Sequence, residues 1–168
     1  VNQGIYTNPP DLSDQSWCLM RFRETEIDGS LRWLILKDGC LHCTDPGCLR
    51  ACPAPGAVLQ SSNGIVDFQQ ERCIGCGYCV QACPYGSRFI HPATHTASKC
   101  TWCYHRVTRG LKPACVSVCP TGTRQFGDLK REDDPVRRAI ERERVAILQP
   151  HLLTEPQCFY LHLDKEVR

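Results

Sequence analysis

Residues 73–86 read CIGCGYCVQACPYG, a run of the form C-x2-C-x2-C-x3-C-P made by Cys73, Cys76, Cys79 and Cys83 with Pro84. Thiolates are soft ligands that suit zinc and iron–sulfur centres. The first three lie within seven residues of one another and can grip one small object. The fourth stands beside a proline, which directs it along a different part of the chain.

Two more groups repeat the pattern with loops of other lengths. The first is Cys40, Cys43, Cys48 and Cys52 in CLHCTDPGCLRACP, and the last is Cys100, Cys103, Cys115 and Cys119 in CTWCYHRVTRGLKPACVSVCP. Every group ends C-x-x-x-C-P, so the chain contains an internal repeat. Cys18 and Cys158 stand apart and read as buried free thiols. A disulfide framework suits an even cysteine count, but repeated C-x-x-C steps favour a shared metal. Zinc takes two facing C-x-x-C knuckles, whereas a C-x-x-C-x-x-C triple converges on a larger object. Haem attachment needs C-x-x-C-H, and no histidine follows Cys43, Cys76 or Cys103.

The run C-x2-C-x2-C-x3-C-P is that of bacterial ferredoxins, whose fourth cysteine ligates the other of two 4Fe-4S clusters. On this logic Cys40, Cys43, Cys48 and Cys83 hold one cubane, and Cys73, Cys76, Cys79 and Cys52 hold another. Cys100, Cys103 and Cys115 hold a third. Cys119 either closes that third cluster or reaches a fourth whose other ligands precede Val1; the repeat favours the second reading. Two clusters brought so close form a wire and not a catalytic site. No nucleophile–base pair, phosphate loop or pterin-binding pattern accompanies them.

Composition agrees with a cofactor-built core. Fourteen cysteines in 168 residues are near the level that signals a covalent or metal scaffold, which in a small lobe replaces part of the hydrophobic core. Twelve prolines and 12 glycines suit a loop-rich chain. The formal net charge is +2 with every thiol neutral; twelve thiolates on three cubanes would bring it to about −4. The lysines and arginines form no basic stripe with a stacking platform, so nucleic acid is not the expected partner. There is no run of about 18 apolar residues to span a membrane and no visible signal peptide.

The elements that must position the thiols are modest. WCLMRFRETEIDGSLRWLILK alternates on both sides of Asp28-Gly29, predicting a hairpin, and AVLQSSNGIVDF predicts a second that turns near Asn63-Gly64 and links the first cysteine group to the second. Asp134-Pro135 before VRRAIERERVAIL predicts a capped helix with Val136, Ala139, Ile140 and Ile147 on its buried side. CFYLHLD predicts a terminal strand. The fold class is therefore α+β and loop-rich.

These stretches resemble the electron-transfer (beta) subunits of molybdopterin oxidoreductases. IYTNPPDLSDQSW, RWLILKDGCLHCTDPGCLRACPAPGAV and NGIVDFQQERCIGCGYC are most similar to the beta subunit of respiratory formate dehydrogenase. CPYGSRFIHPATHTASKCTWCYHRVTRGLKPACVSVCPTG also resembles subunits of polysulfide, tetrathionate and nitrite-reducing systems. The resemblance implies two fused ferredoxin-like modules, one of residues 40–83 and one of residues 1–39 with 84–168. It also implies an additional cysteine group before Val1, hence a fourth cluster. Some relatives carry tryptophan in place of the cysteine matching Cys76 and hold a three-iron cluster, so Cys76 implies an all-4Fe-4S content. A molybdopterin catalytic subunit is the implied partner, with a membrane cytochrome b-type subunit as a second.

The formate dehydrogenase subunit continues into a membrane helix where this chain ends at Arg168, which implies a soluble or peripherally held subunit. A periplasmic or membrane-associated complex is the implied location, with the cytoplasm left open. A polysulfide or tetrathionate reductase subunit and a free polyferredoxin shuttle are the alternatives. Among single residues, His42 has a loop-packing and a cluster-tuning reading, of which packing is the simpler. Trp102 and Tyr104 either shield a cluster from water or flank a transfer route. Lys99, Arg106 and Lys112 either stabilise reduced clusters or face a partner.

Overall fold

The computed structural model describes residues 9–163. Residues 1–8 and 164–168 lie outside the described residues, and with them the ends of the implied outer module, the start of the IYTNPPDLSDQSW stretch and Asp164 of the terminal strand. The fold is α+β and loop-rich, with short elements joined by turns. Among the described residues every sheet is two-stranded. The chain separates into two units. One comprises the residues up to Cys40, Gly47–Gln60 and Asp67–Cys100; the other comprises Leu41–Pro46, Ser61–Val66 and the residues from Thr101 onward.

In the first unit, β1 (Leu19–Ile27) and β2 (Ser30–Asp38) pair antiparallel with Ile27 opposite Ser30. Asp28 and Gly29 both have positive φ, 51° and 71°, the geometry of a two-residue turn that matches strand twist. The hairpin ends at the first cysteine group: Lys37 donates from Nζ to the carbonyl of Cys40 at 2.9 Å. One-turn helices α1 (Gly47–Arg50) and α2 (Tyr78–Gln81) follow. A Cβ on Gly47 would stand 3.3 Å from the carbonyl oxygen of Ala82, so glycine here lets the two helices approach. Strands β3 (Val58–Gln60) and β4 (Val66–Phe68) form the second hairpin. Its turn, within Ser61–Val66 of the second unit, carries Gly64 at φ 83°. Strands β5 (Phe89–Ile90) and β6 (Ala97–Ser98) form a third. The buried apolar residues of this unit are mostly small: Cys40, Ala57, Val58, Cys79 and Ala97. A unit with so few large side chains inside needs another source of cohesion.

The second unit contains α3 (Tyr104–Val107), α4 (Ala114–Ser117), α5 (Pro135–Arg142), β7 (Val145–Ala146) and β8 (Tyr160–Leu161). The loop 41–46 is held by the chain near residue 155. Thr44 donates to the carbonyl of Glu155, Asp45 to that of Thr154, and Gln157 to that of Leu41, at 2.9, 3.2 and 2.9 Å.

Helix α5 starts as predicted, with Pro135 at its first position and Asp134 as cap. It is shorter than the sequence pattern suggests. Glu143 is extended at φ −105°, ψ 160°, and Val145 and Ala146 then pair with Leu161 and Tyr160. The β-branched Val145 prefers a pleated surface, so Ile147 lies beyond the helix and not on its buried side. The predicted terminal strand is limited to Tyr160–Leu161. Cys18 and Cys158, read from the sequence as buried, are half-buried.

The Asp134 carboxylate accepts from the backbone N–H of Val136 at 2.8 Å and of Asp128 at 2.9 Å. The Asp128 bond is the leading cause of a pKa held below the ordinary carboxylate value. Gly127 faces the same carboxylate, and a Cβ there would collide with it. Asp134→Ala is expected to cost about 1 kcal/mol, measured by denaturant unfolding. A depressed carboxylate stabilises above its unfolded pKa of about 3.9 and loses that contribution as pH falls through the lower folded value. The gap between wild type and variant should therefore close in acid.

Candidate metal centre

The sequence repeat has a structural counterpart. In each group the third cysteine is the second residue of a one-turn helix: Cys48 in α1, Cys79 in α2 and Cys115 in α4. The fourth follows two residues past the helix end. Its backbone N–H donates three residues back, Cys52 to Leu49, Cys83 to Val80 and Cys119 to Val116, at 3.3, 3.4 and 3.3 Å. The proline that follows cannot extend a helix, so the chain leaves with the fourth thiol at the bend.

In the first unit this geometry gathers four thiols around one cavity. Cys52, Cys73, Cys76 and Cys79 line one cavity, partly open to solvent, together with Ala54, Ala57, Val58, Phe68, Ile74, Ile90 and Ala97. Cys52 comes from the first sequence group and the other three from the second. Cys79 is buried and Cys76 is exposed, so the cavity is closed on one side and meets water on the other. The N–H of Ala97 points at the Cys73 sulfur at 3.4 Å. Among the described residues no three Cys, His, Asp or Glu side chains are placed to hold a single metal ion; the thiols surround a space.

A second cluster of thiols lies in the same unit. Burial pushes the Cys48 thiol above its ordinary pKa; beyond burial, Arg88 pulls it down while Cys40 and Cys83 push it up. Cys40 and Cys83 are thus both near Cys48. For Cys79, burial again dominates, with Arg88 opposing and Cys73 and Cys52 adding. The sulfur of Cys83 accepts from the N–H of Ser87 at 3.4 Å. Ser87 is itself fixed by its hydroxyl, which donates to the carbonyl of Gly39 at 2.9 Å. Cys43 is carried on the loop 41–46 of the second unit.

In the third group, Cys100 ends the first unit, and Cys103, Cys115 and Cys119 belong to the second. Trp102 and Cys103 both have positive φ, 51° and 52°, which turns the chain sharply into α3. Arg106 donates from Nε to the carbonyl of Lys112 at 2.9 Å, closing the loop that leads to α4 and Cys115; Arg106 therefore has a structural task. The sulfur of Cys119 lies 3.5 Å from the Thr121 hydroxyl and 3.6 Å from that of Thr123. Thr121, the backbone of Arg124 and Thr123 draw its pKa down to about 6.

His42 has no exposed surface. Its Nδ1 accepts from the N–H of Val66 at 3.1 Å, and its ring stacks 4.3 Å from that of Trp102. Trp102 in turn meets Phe126 edge-on. His42 and Trp102 thus pack the second unit, whereas Tyr104 faces solvent. Lys99 is fully buried, with Nζ on the carbonyl of Cys100 at 2.8 Å.

The residue that the sequence pattern leaves unmarked is Arg88, buried among thiols of both groups in the first unit. It is the single Lys or Arg between Arg72 and Lys99, a signal whose meaning depends on burial.

Residues 31–129 match the family described as the 4Fe-4S dicluster domain. The chain is 52% identical over 148 residues to the formate dehydrogenase-O iron-sulfur subunit of Escherichia coli, covering 88% of this chain and 48% of that one. It is 57% identical over 127 residues to the nitrate-inducible formate dehydrogenase iron-sulfur subunit of the same organism, covering 76% and 43%. A tetrathionate reductase subunit of Salmonella typhimurium is 47% identical over 133 residues, covering 78% and 53%. The chain thus spans about half the length of the curated relatives it matches.

The loop that carries Cys73 and Cys76 gives a test of its geometry. Gly75 and Gly77 both have positive φ, 68° and 78°. A Cβ on Gly75 would collide with the carbonyl oxygen of His95, whereas one on Gly77 would meet nothing within 4 Å. Gly77→Ala should cost about 1–2 kcal/mol of left-handed strain. Gly75→Ala should cost clearly more and release the bound cofactor more readily in denaturant, measured by unfolding and by metal retention.

Proposed function

The chain belongs to the 4Fe-4S dicluster domain family, and from that premise we propose that it is the electron-transfer part of a molybdenum or tungsten pterin oxidoreductase. The chain carries several 4Fe-4S clusters; when bound, each takes up and returns one electron at a time. The donor set fits them. Four thiols line one largely apolar cavity, backbone N–H groups point at sulfurs, and a buried arginine stands beside them.

We assign Cys52, Cys73, Cys76 and Cys79 to one cluster. Cys40, Cys48 and Cys83 hold a second, completed by Cys43 on the strength of its spacing. Cys100, Cys103 and Cys115 hold a third by spacing alone, with Cys119 directed to a fourth. The three matching one-turn helices support a reading as two fused ferredoxin-like modules.

Each part of the chain has a task in this reading. The apolar lining of Ala57, Val58, Phe68 and Ile90 keeps water from the inner face of the cavity. Low solvent access and N–H donors to sulfur set how readily a centre accepts an electron. Cys76, on the exposed side, is the edge from which an electron enters or leaves the unit.

The observation that carries the reading is the gathering of Cys52 with Cys73, Cys76 and Cys79 around one cavity. Formate oxidation is the proposed reaction of the partner, supported by the two formate dehydrogenase relatives. The proposed location is a periplasmic or membrane-associated complex, with a cytochrome b-type subunit as a second partner. Among the described residues no helix is long and apolar enough to cross a membrane. A sulfur-compound reductase is the alternative, favoured by the tetrathionate reductase relative.

Purifying the full-length gene product with its partners tests this reading. The complex should be brown, with iron and acid-labile sulfide in near-equal amounts and about 16 irons per chain, four per cubane. Formate should bleach the visible absorption. No bleaching by formate, with an oxidised sulfur compound restoring the colour of chemically reduced clusters, would shift the assignment to the alternative, and a colourless protein would end the electron-transfer reading.

A further inference from the structure

Arg88 is 4% exposed, and neither terminal nitrogen of its guanidinium makes a well-formed hydrogen bond. An arginine buried in that state is strongly unfavourable unless an anion stands close. No Asp or Glu is buried among the described residues. The charge partners of Arg88 are instead the sulfurs of Cys48, Cys79 and Cys40, and Cys79 is close enough to act as an acceptor for it. Cys79 lines the cavity with Cys52, Cys73 and Cys76. Cys48 has Cys40 and Cys83 near it. One cation therefore faces both thiol groups.

Neutral thiols do not balance a guanidinium, whereas cluster-bound thiolates do. We propose that Arg88 is the shared counter-cation of the two clusters in the first unit and raises the reduction potential of both. A fixed positive charge stabilises the more negative, reduced state of each centre, and its place between two thiol groups lets one residue act on both. Lys99 also bears on Cys48, with its ammonium donating to the carbonyl of Cys100, whereas Arg88 bears on Cys79 of the other group as well. The inference rests on the cluster assignment above, which iron and sulfide analysis of the wild-type protein tests separately.

The test is a potentiometric titration followed by EPR on the full-length, cluster-loaded protein. Arg88→Met with full iron content should shift both one-electron equilibria at least tenfold towards the oxidised state, about 59 mV lower for each tenfold. Arg88→Lys should recover most of the shift. Unchanged potentials in a fully loaded Arg88→Met protein would overturn the proposal, and a shift confined to one cluster would overturn the shared role. If Arg88→Met loses its iron, wild-type protein grown on ¹⁵N-arginine decides. Pulsed EPR of both reduced clusters should show coupling to a labelled arginine nitrogen, and no coupling would overturn the proposal.

Discussion

The constraint on which the site depends is the stop after each one-turn helix. α1 and α2 each carry one thiol, end within four residues, and release a second thiol at a Cys-Pro bend. A longer helix would keep both thiols of a group on one side; the bend separates them. Cys52 reaches the cavity of Cys73, Cys76 and Cys79, and Cys83 reaches Cys48. The interlocking needs the two helices close together, which Gly47 permits against the carbonyl of Ala82. An extra methyl at that point presses on backbone and opens the junction.

This arrangement explains why the interior holds so little ordinary core. The first unit buries small residues, thiols and two cations, Arg88 and Lys99. Small side chains bury too little apolar area to hold such a lobe together alone. Thiolates bound to a cofactor supply both cohesion and the negative charge that buried cations need. Binding and folding are then coupled. The second unit is built more conventionally, from His42, Trp102 and Phe126 in ring contact and from backbone pairing of the loop 41–46 with residues near 155.

The sequence was most legible where local chemistry decides the outcome. Asp28-Gly29 admits few backbones, and the hairpin turns there. Asp134-Pro135 starts a helix because the carboxylate caps it and proline needs no N–H. The repeated C-x-x-x-C-P announced three equivalent bends. It was least legible where distant residues decide. The end of α5 depends on Val145 and Ala146 finding Tyr160 and Leu161 far along the chain. Cys18 and Cys158 looked like buried thiols by residue type, but nothing packs fully over them. Arg88 sits in an unremarkable stretch, and its meaning comes from burial among sulfurs contributed by three separate segments.

The central claim is that the first two cysteine groups exchange their fourth thiols, and ligation can be read directly. A diffraction experiment at the iron edge on the cluster-loaded protein would locate every iron and the sulfur bonded to it. The account predicts Cys52 on the cluster of Cys73, Cys76 and Cys79, and Cys83 on the cluster of Cys40 and Cys48. Cys83 bonded to the same cluster as Cys79, with Cys52 bonded to that of Cys48, would contradict it.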